Sequence, residues 1–166
     1  MEKKLIFKKI SGEIIEDVEK YVKNWVKNNP YGNVIIGCDS QVHGKRIKYS
    51  IAIVMHYIDE SGIGHGSHVI VADIWEKRKY SSPDDEIFSK LWKEAEYTLK
   101  TAQMVDGNDE MFKKRLLLHL DYSNNTKDKS NIIFSSGIGY LREMGYSAEG
   151  KPNSYVATHT ADALCR

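Results

Sequence analysis

Two short apolar runs in this chain each end in an aspartate: Asn33-Val-Ile-Ile-Gly-Cys-Asp39 and Arg115-Leu-Leu-Leu-His-Leu-Asp121. Runs without polar alternation suit strands at the centre of a sheet covered on both faces. If these strands are parallel neighbours, both carboxylates fall at the same edge of the sheet. Like charges that close repel unless something positive sits between them. A divalent cation removes the repulsion, and a hard ion such as Mg²⁺ prefers carboxylate oxygens while keeping water for exchange with a phosphate. Two such ions about 3.5–4 Å apart activate a water and stabilise the leaving oxygen in phosphodiester cleavage. A third acid is needed to hold both, and Asp162, in a short helix expected to begin near Thr158, is the candidate. Read singly, Asp39 and Asp121 equally suit strand ends that close Asx-turns, and Asp162 suits an early-helix acid favoured by the helix dipole.

Smaller signals surround these acids. His159 precedes Asp162 by three residues, so a helix would put both on one face. Its near-neutral pKa suits proton transfer, and a capping or solvent-facing role is equally consistent. Ser40 and Gln41 follow the first acid and could touch a sugar or phosphate, or serve only as turn residues. Lys129 could bind phosphate or stay solvated. The basic clusters Lys45-Arg46, Lys77-Arg78-Lys79 and Lys113-Lys114-Arg115 could track a nucleic-acid backbone, although solvated surface charge explains such clusters more often. His65-Gly-Ser-His68 lies at an expected hairpin without further ligands, which argues against zinc.

The elements that must position these groups follow from periodicity. Residues 4–10 read as a short strand or extended arm, and Ser11 as the N-cap of a helix carrying Ile14, Ile15, Val18, Tyr21, Val22, Trp25 and Val26 at helical spacing. That helix stops near Pro30. The run from Asn33 to Asp39 is the next strand. Residues 46–58 alternate and residues 67–76 form another strand, which together give an antiparallel meander. Ser82-Pro83-Asp84-Asp85-Glu86 opens a helix with an N-cap, a proline at N1 and first-turn acids. Its stripe runs through Ile87, Leu91, Ala95, Leu99 and Ala102 to about Val105. Arg115–Asp121 is a strand, 131–144 a helix, and Tyr146–Glu149 a short strand. The order α–β–β–β–α–β–α–β–α requires a helical crossover before the strand at Arg115, which favours a parallel, right-handed connection.

Composition narrows the class. The chain has 166 residues, 41% hydrophobic and 28% charged, which is a globular pattern sized for one domain. Lys plus Arg is 24 against 23 for Asp plus Glu, a net charge of +1 that excludes a strongly basic nucleic-acid-coating protein. Local basic faces remain compatible with it. Cys38 and Cys165 form no C-x-x-C, so a disulfide framework is not expected and a reducing compartment fits. No apolar run approaches the roughly 20 residues of a membrane span, and the N-terminus does not read as a signal peptide. The expectation is a cytoplasmic protein without membrane attachment.

In its element order and in its acids, the chain resembles the ribonuclease H-like superfamily, and more closely the YkuK-like family of ribonuclease H-like proteins. The stretches that carry the resemblance are Ile36-Gly-Cys-Asp-Ser-Gln41, His119-Leu-Asp-Tyr-Ser-Asn124 with Lys129-Ser130, and Gly150-Lys-Pro152 followed by Ala157 to Asp162. The resemblance implies an α/β fold over residues 33–166. Its mixed five-stranded sheet would be ordered 3-2-1-4-5, counted from the strand at Asn33, with helices packed on it. Residues 1–30 would add an N-terminal strand and helix to the same single domain.

It also implies a two-metal site with Asp39 bridging two Mg²⁺ or Mn²⁺ ions and Asp121 and Asp162 completing the shell. Many superfamily members add a fourth acid from the helix after strand three. That helix offers Asp84, Asp85, Glu86, Glu94 and Glu96. Glu86 is chosen for its first-turn position near the strand edge, against a plain first-turn acid. The expected function is a metal-dependent nuclease acting on RNA, DNA or a hybrid. The alternatives are a non-catalytic nucleic-acid or protein-binding module of the same fold, and a small-molecule phosphatase. Asp39-Ser-Gln lacks the second acid two residues on that a haloacid-dehalogenase-like phosphatase would carry.

Overall fold

The computed structural model describes residues 4–79, 82–122, 131–151 and 153, with the backbone alone for 131–134. The elements are β1 (Lys8–Lys9), α1 (Val18–Asn28), β2 (Asn33–His43), β3 (Arg46–Ile58), β4 (Gly64–Lys77), α2 (Pro83–Asp106), α3 (Glu110–Lys113), β5 (Leu116–Leu120), α4 (Asn131–Glu143) and β6 (Ser147–Glu149). The strands form one six-stranded sheet in the order β1-β4-β3-β2-β5-β6. The meander β2–β3–β4 is antiparallel. β5 and β6 extend it in parallel from the other side of β2. Counted from β2, the five core strands therefore take the order 3-2-1-4-5, and β1 adds a sixth strand antiparallel to β4.

Period-two alternation divides the sheet into two faces. Val34, Ile36 and Cys38 of β2 join Ile51 and Ile53 of β3 and Leu116, Leu118 and Leu120 of β5 in the main core. Val22 and Val26 of α1, Ala95, Leu99 and Ala102 of α2, and Ile138 and Leu141 of α4 pack in the same cluster. A smaller cluster of Ile35, Ala52, Val54 and Val71 lies on the opposite face. The apolar runs at 33–39 and 115–121 are central because each supplies side chains to both clusters.

Two boundaries differ from the sequence reading. Ser11 does not cap α1. Gly12, at φ 94°, turns the chain back so that Lys9 N donates to Glu13 O and Ile15 N to Phe7 O, each at 2.9 Å. Asp17 is the cap, accepting from Lys20 N at 2.9 Å, so the helix begins a turn and a half after Ser11. β2 does not stop at Asp39 either, because β3 continues to pair with it as far as His43↔Arg46. Asp39 instead marks the end of the parallel ladder, whose last pair is Cys38↔Leu120. The expected final helix near Thr158 lies outside the described residues.

α2 forms as its termini dictate. Ser82 Oγ accepts from Asp85 N, Pro83 opens the first turn, and Gly107 at φ 58° closes the helix in the left-handed conformation that favours glycine. α4 approaches β5 through Gly137, where an added Cβ would lie 2.4 Å from Tyr122 Cε2.

Candidate active site

Asp39 and Asp121 are the residues that follow the last parallel pair, Cys38↔Leu120. Neighbouring strands are about 4.8 Å apart, so the two acids start from adjacent positions on the sheet. Both are half-buried. Lys151 holds Asp121 from beyond β6, with Nζ 2.9 Å from Oδ1, and its backbone N–H donates to Tyr122 O at 2.8 Å. Tyr122 itself is buried, and its hydroxyl donates to Leu91 O. The residue after Asp121 is thereby pinned to α2.

α2 brings a third acid. Glu94 is 2% exposed and accepts from Ser40 Oγ through Oε1 at 2.5 Å. Its second oxygen, Oε2, is buried with no hydrogen-bond partner among the described residues. Burial pushes the Glu94 carboxyl well above the usual carboxylate range, and the charges of Asp39 and then Asp121 push it further. The Ser40 hydrogen bond and Lys90 pull the other way without prevailing. An orphaned, buried carboxyl oxygen under the charge of two further carboxylates is costly to the fold. That cost falls if a cation shares the three groups.

The donor set fits a hard divalent ion, since all three groups offer carboxylate oxygens. Among the described residues, no three His, Cys, Asp or Glu side chains are drawn together closely enough to form a coordination shell by themselves.

The structure distributes the other expected residues as follows. Ser40 is buried on Glu94. Gln41 is exposed on β2, two residues beyond Asp39. Glu86 is engaged by Arg78 Nε. It lies eight residues before Glu94, which is about 12 Å along the helix axis. The charges of Asp39 and Asp121 bear on Glu94, whereas Glu86 is taken up by Arg78; by alternation Asp39 belongs to the sheet face opposite Ser40 and Glu94. Asp162, His159 and Lys129 lie outside the described residues. Glu94 had a signal in the sequence: it sits three residues after Leu91 and one before Ala95, so an acid interrupts the apolar stripe of α2. First-turn position pointed elsewhere.

On the face that Asp39 shares by alternation, its row continues through Ser50 of β3 to Asp73 of β4. Ser50 Oγ donates to Asp73 Oδ1 at 2.7 Å, and Lys48 Nζ lies 3.5 Å from Asp73 Oδ2. His119 of β5 is buried on the same face, with Nε2 3.9 Å from Glu149 Oε2, and burial lowers its pKa to about 4.

A family model described as Ribonuclease H-like matches residues 13–166. The chain belongs to the ribonuclease H-like family. The match takes in α1 as well as the sheet, so the early helix is part of what the ribonuclease H-like model covers. No curated protein and no solved structure matches the chain. Among the described residues no helix is long and apolar enough to cross a membrane.

Proposed function

We propose that this ribonuclease H-like chain is a divalent-metal-dependent nuclease that hydrolyses phosphodiester bonds in nucleic acid. The observation that carries the reading is Glu94: a carboxyl with one unpartnered oxygen, whose pKa is raised first by burial and further by the charges of Asp39 and Asp121. Asp39, Asp121 and Glu94 would hold Mg²⁺ or Mn²⁺, with Asp162 as a further ligand. When bound, such ions supply Lewis acidity at the scissile phosphate and make water nucleophilic near neutral pH.

The protein's own groups prepare that chemistry. Ser40 fixes Oε1 of Glu94 and would leave Oε2 available to a cation, which would make Ser40 a positioning residue. Lys151 neutralises Asp121 and lowers the charge density that an approaching phosphate meets. Gln41, exposed two residues beyond Asp39 on the same face, would touch the substrate, and Lys129 is its proposed counterpart on phosphate. His159 is the proposed proton-transfer group. Holding nucleic acid through its backbone gives modest sequence preference and strong salt dependence.

The test is cleavage of labelled single-stranded, duplex, hybrid and junction substrates with Mg²⁺ or Mn²⁺, with Asp39→Asn in parallel. Metal-dependent cutting by the wild type and none by the variant is expected. Binding that ignores both divalent ions and Asp39→Asn, without cutting, would make the chain a binding module instead. Metal-dependent hydrolysis of a small phosphomonoester, with all polymers left intact, would make it a phosphatase.

A further inference from the structure

Two basic clusters separated by some thirty residues of sequence meet at one end of the sheet. Arg46 pairs with Lys77 across β3 and β4, and Arg78 N–H donates to Lys45 O at 3.0 Å. Trp75 stands beside them, 37% exposed. Arg46 lies over its indole ring at 4.5 Å from the centroid, and the His43 ring lies 5.2 Å away, tilted by 59°. His43, Arg46, Lys45, Lys77 and Lys79 are all exposed. Among the described residues, carboxylates engage Lys48 and Arg78, and none engages Lys45, Arg46, Lys77 or Lys79.

Register ties this patch to the acids. The row Gln41–Lys48–Trp75 lies two residues beyond the row Asp39–Ser50–Asp73, on the same face. Trp75 is two strands across and two residues along from Asp39, or about 12 Å. An oligonucleotide of a few residues spans that distance. A cross-strand cation–π pair alone would account for Arg46 over Trp75. It would not account for a large aromatic that stays 37% exposed at a strand end where Lys45, Arg46, Lys77 and Lys79 lack acidic partners among the described residues.

We propose that Trp75, flanked by Arg46 and His43, is a stacking platform for an unpaired base of single-stranded nucleic acid, with Lys45, Lys77 and Lys79 on its phosphates. A flat sheet surface reads splayed bases by stacking, whereas a paired base keeps its faces within the helix. The link to cleavage rests on the nuclease reading; the binding itself does not.

The test is fluorescence anisotropy of the full chain with short labelled single-stranded RNA, single-stranded DNA and duplex, in EDTA and at low salt. EDTA removes cleavage from the measurement. Single strands are expected to bind more tightly than duplex. Trp75→Ala should weaken that binding about 5- to 150-fold, and Trp75→Phe should keep most of it. Lys77→Ala should lower the slope of log affinity against log salt by about 0.7. Asp39→Asn should bind at least as well as the wild type. Equal affinity of wild type, Trp75→Ala and Arg46→Ala would overturn the platform, as would the absence of binding or a preference for duplex. The RNA and DNA arms decide which strand it takes. Cleavage by the same variants in Mn²⁺ is read separately, so an inactive protein that still binds through Trp75 would sink only the nuclease reading.

Discussion

A carboxyl that burial and neighbouring charges keep above its ordinary pKa is tolerated at acid pH and becomes a burden as the pH rises. Glu94 is such a group. Its folded pKa lies above the unfolded value, so its effect on stability is most favourable below about 4.5 and is lost as pH climbs towards the folded value. In chelator, Glu94→Gln is therefore expected to melt several degrees above the wild type at pH 8 and to lose that advantage near pH 4. The amide oxygen can still accept from Ser40. Mg²⁺ should raise the melting temperature of the wild type and not that of the variant. Thermal denaturation across this range checks both, and a variant that melts below the wild type at every pH would contradict the reading.

His119 works with the opposite sign. Its folded pKa is lowered from 6.5 to about 4, so its contribution is fully present above pH 6.5 and is lost as pH falls towards 4. That shift corresponds to about 3 kcal/mol. His119→Gln should flatten the acid limb of the stability profile by roughly that amount, measured by urea denaturation at pH 4, 5.5 and 7. An unchanged acid limb would show that His119 is not what titrates.

At the scale of elements, the close approach of α4 to β5 is what keeps Tyr122 on α2 and Asp121 at the site. An added methyl at Gly137 would meet the Tyr122 ring. Gly137→Ala is expected to cost about 1–3 kcal/mol, which is a fall of about 3–10 °C in melting temperature. Calorimetry would show it, and a neutral or stabilising result would mean that the helix shifts freely. The elements themselves were largely legible. The runs at 33–39 and 115–121 read as central strands because apolar continuity is rare outside doubly covered sheets. Ser82-Pro83 read as a helix start because cap chemistry is local. The errors came where non-local pairing overrode local signals. Ser11 looked like a cap, but Gly12 returns the chain to Phe7 and Lys9. Asp39 looked like a strand end, but β3 carries β2 four residues further. Glu94 was one of five candidate acids that α2 offered, and what singles it out is its burial on Ser40 under the charges of Asp39 and Asp121.

At the scale of the molecule, the topology does two things at once. The parallel insertion of β5 beside β2 places two acids at adjacent positions past its last pair, and the crossover through α2 buries a third, Glu94, against Ser40 on the helical face. The antiparallel meander on the other side of β2 leaves Gln41, Asp73 and Trp75 exposed on the face that Asp39 shares. Within a net charge of +1, exposed cations collect at the end of the β2–β4 meander. The nuclease reading therefore depends on which acid of α2 completes the site. The most direct test is the Mn²⁺-dependent cleavage rate of a single-stranded oligonucleotide by wild type, Glu94→Gln and Glu86→Gln. Glu94→Gln should lose at least about 100-fold, a loss of the size seen when one charge-stabilising group is removed, while Glu86→Gln stays close to wild type. Full activity in Glu94→Gln, or a loss confined to Glu86→Gln, would contradict the site described.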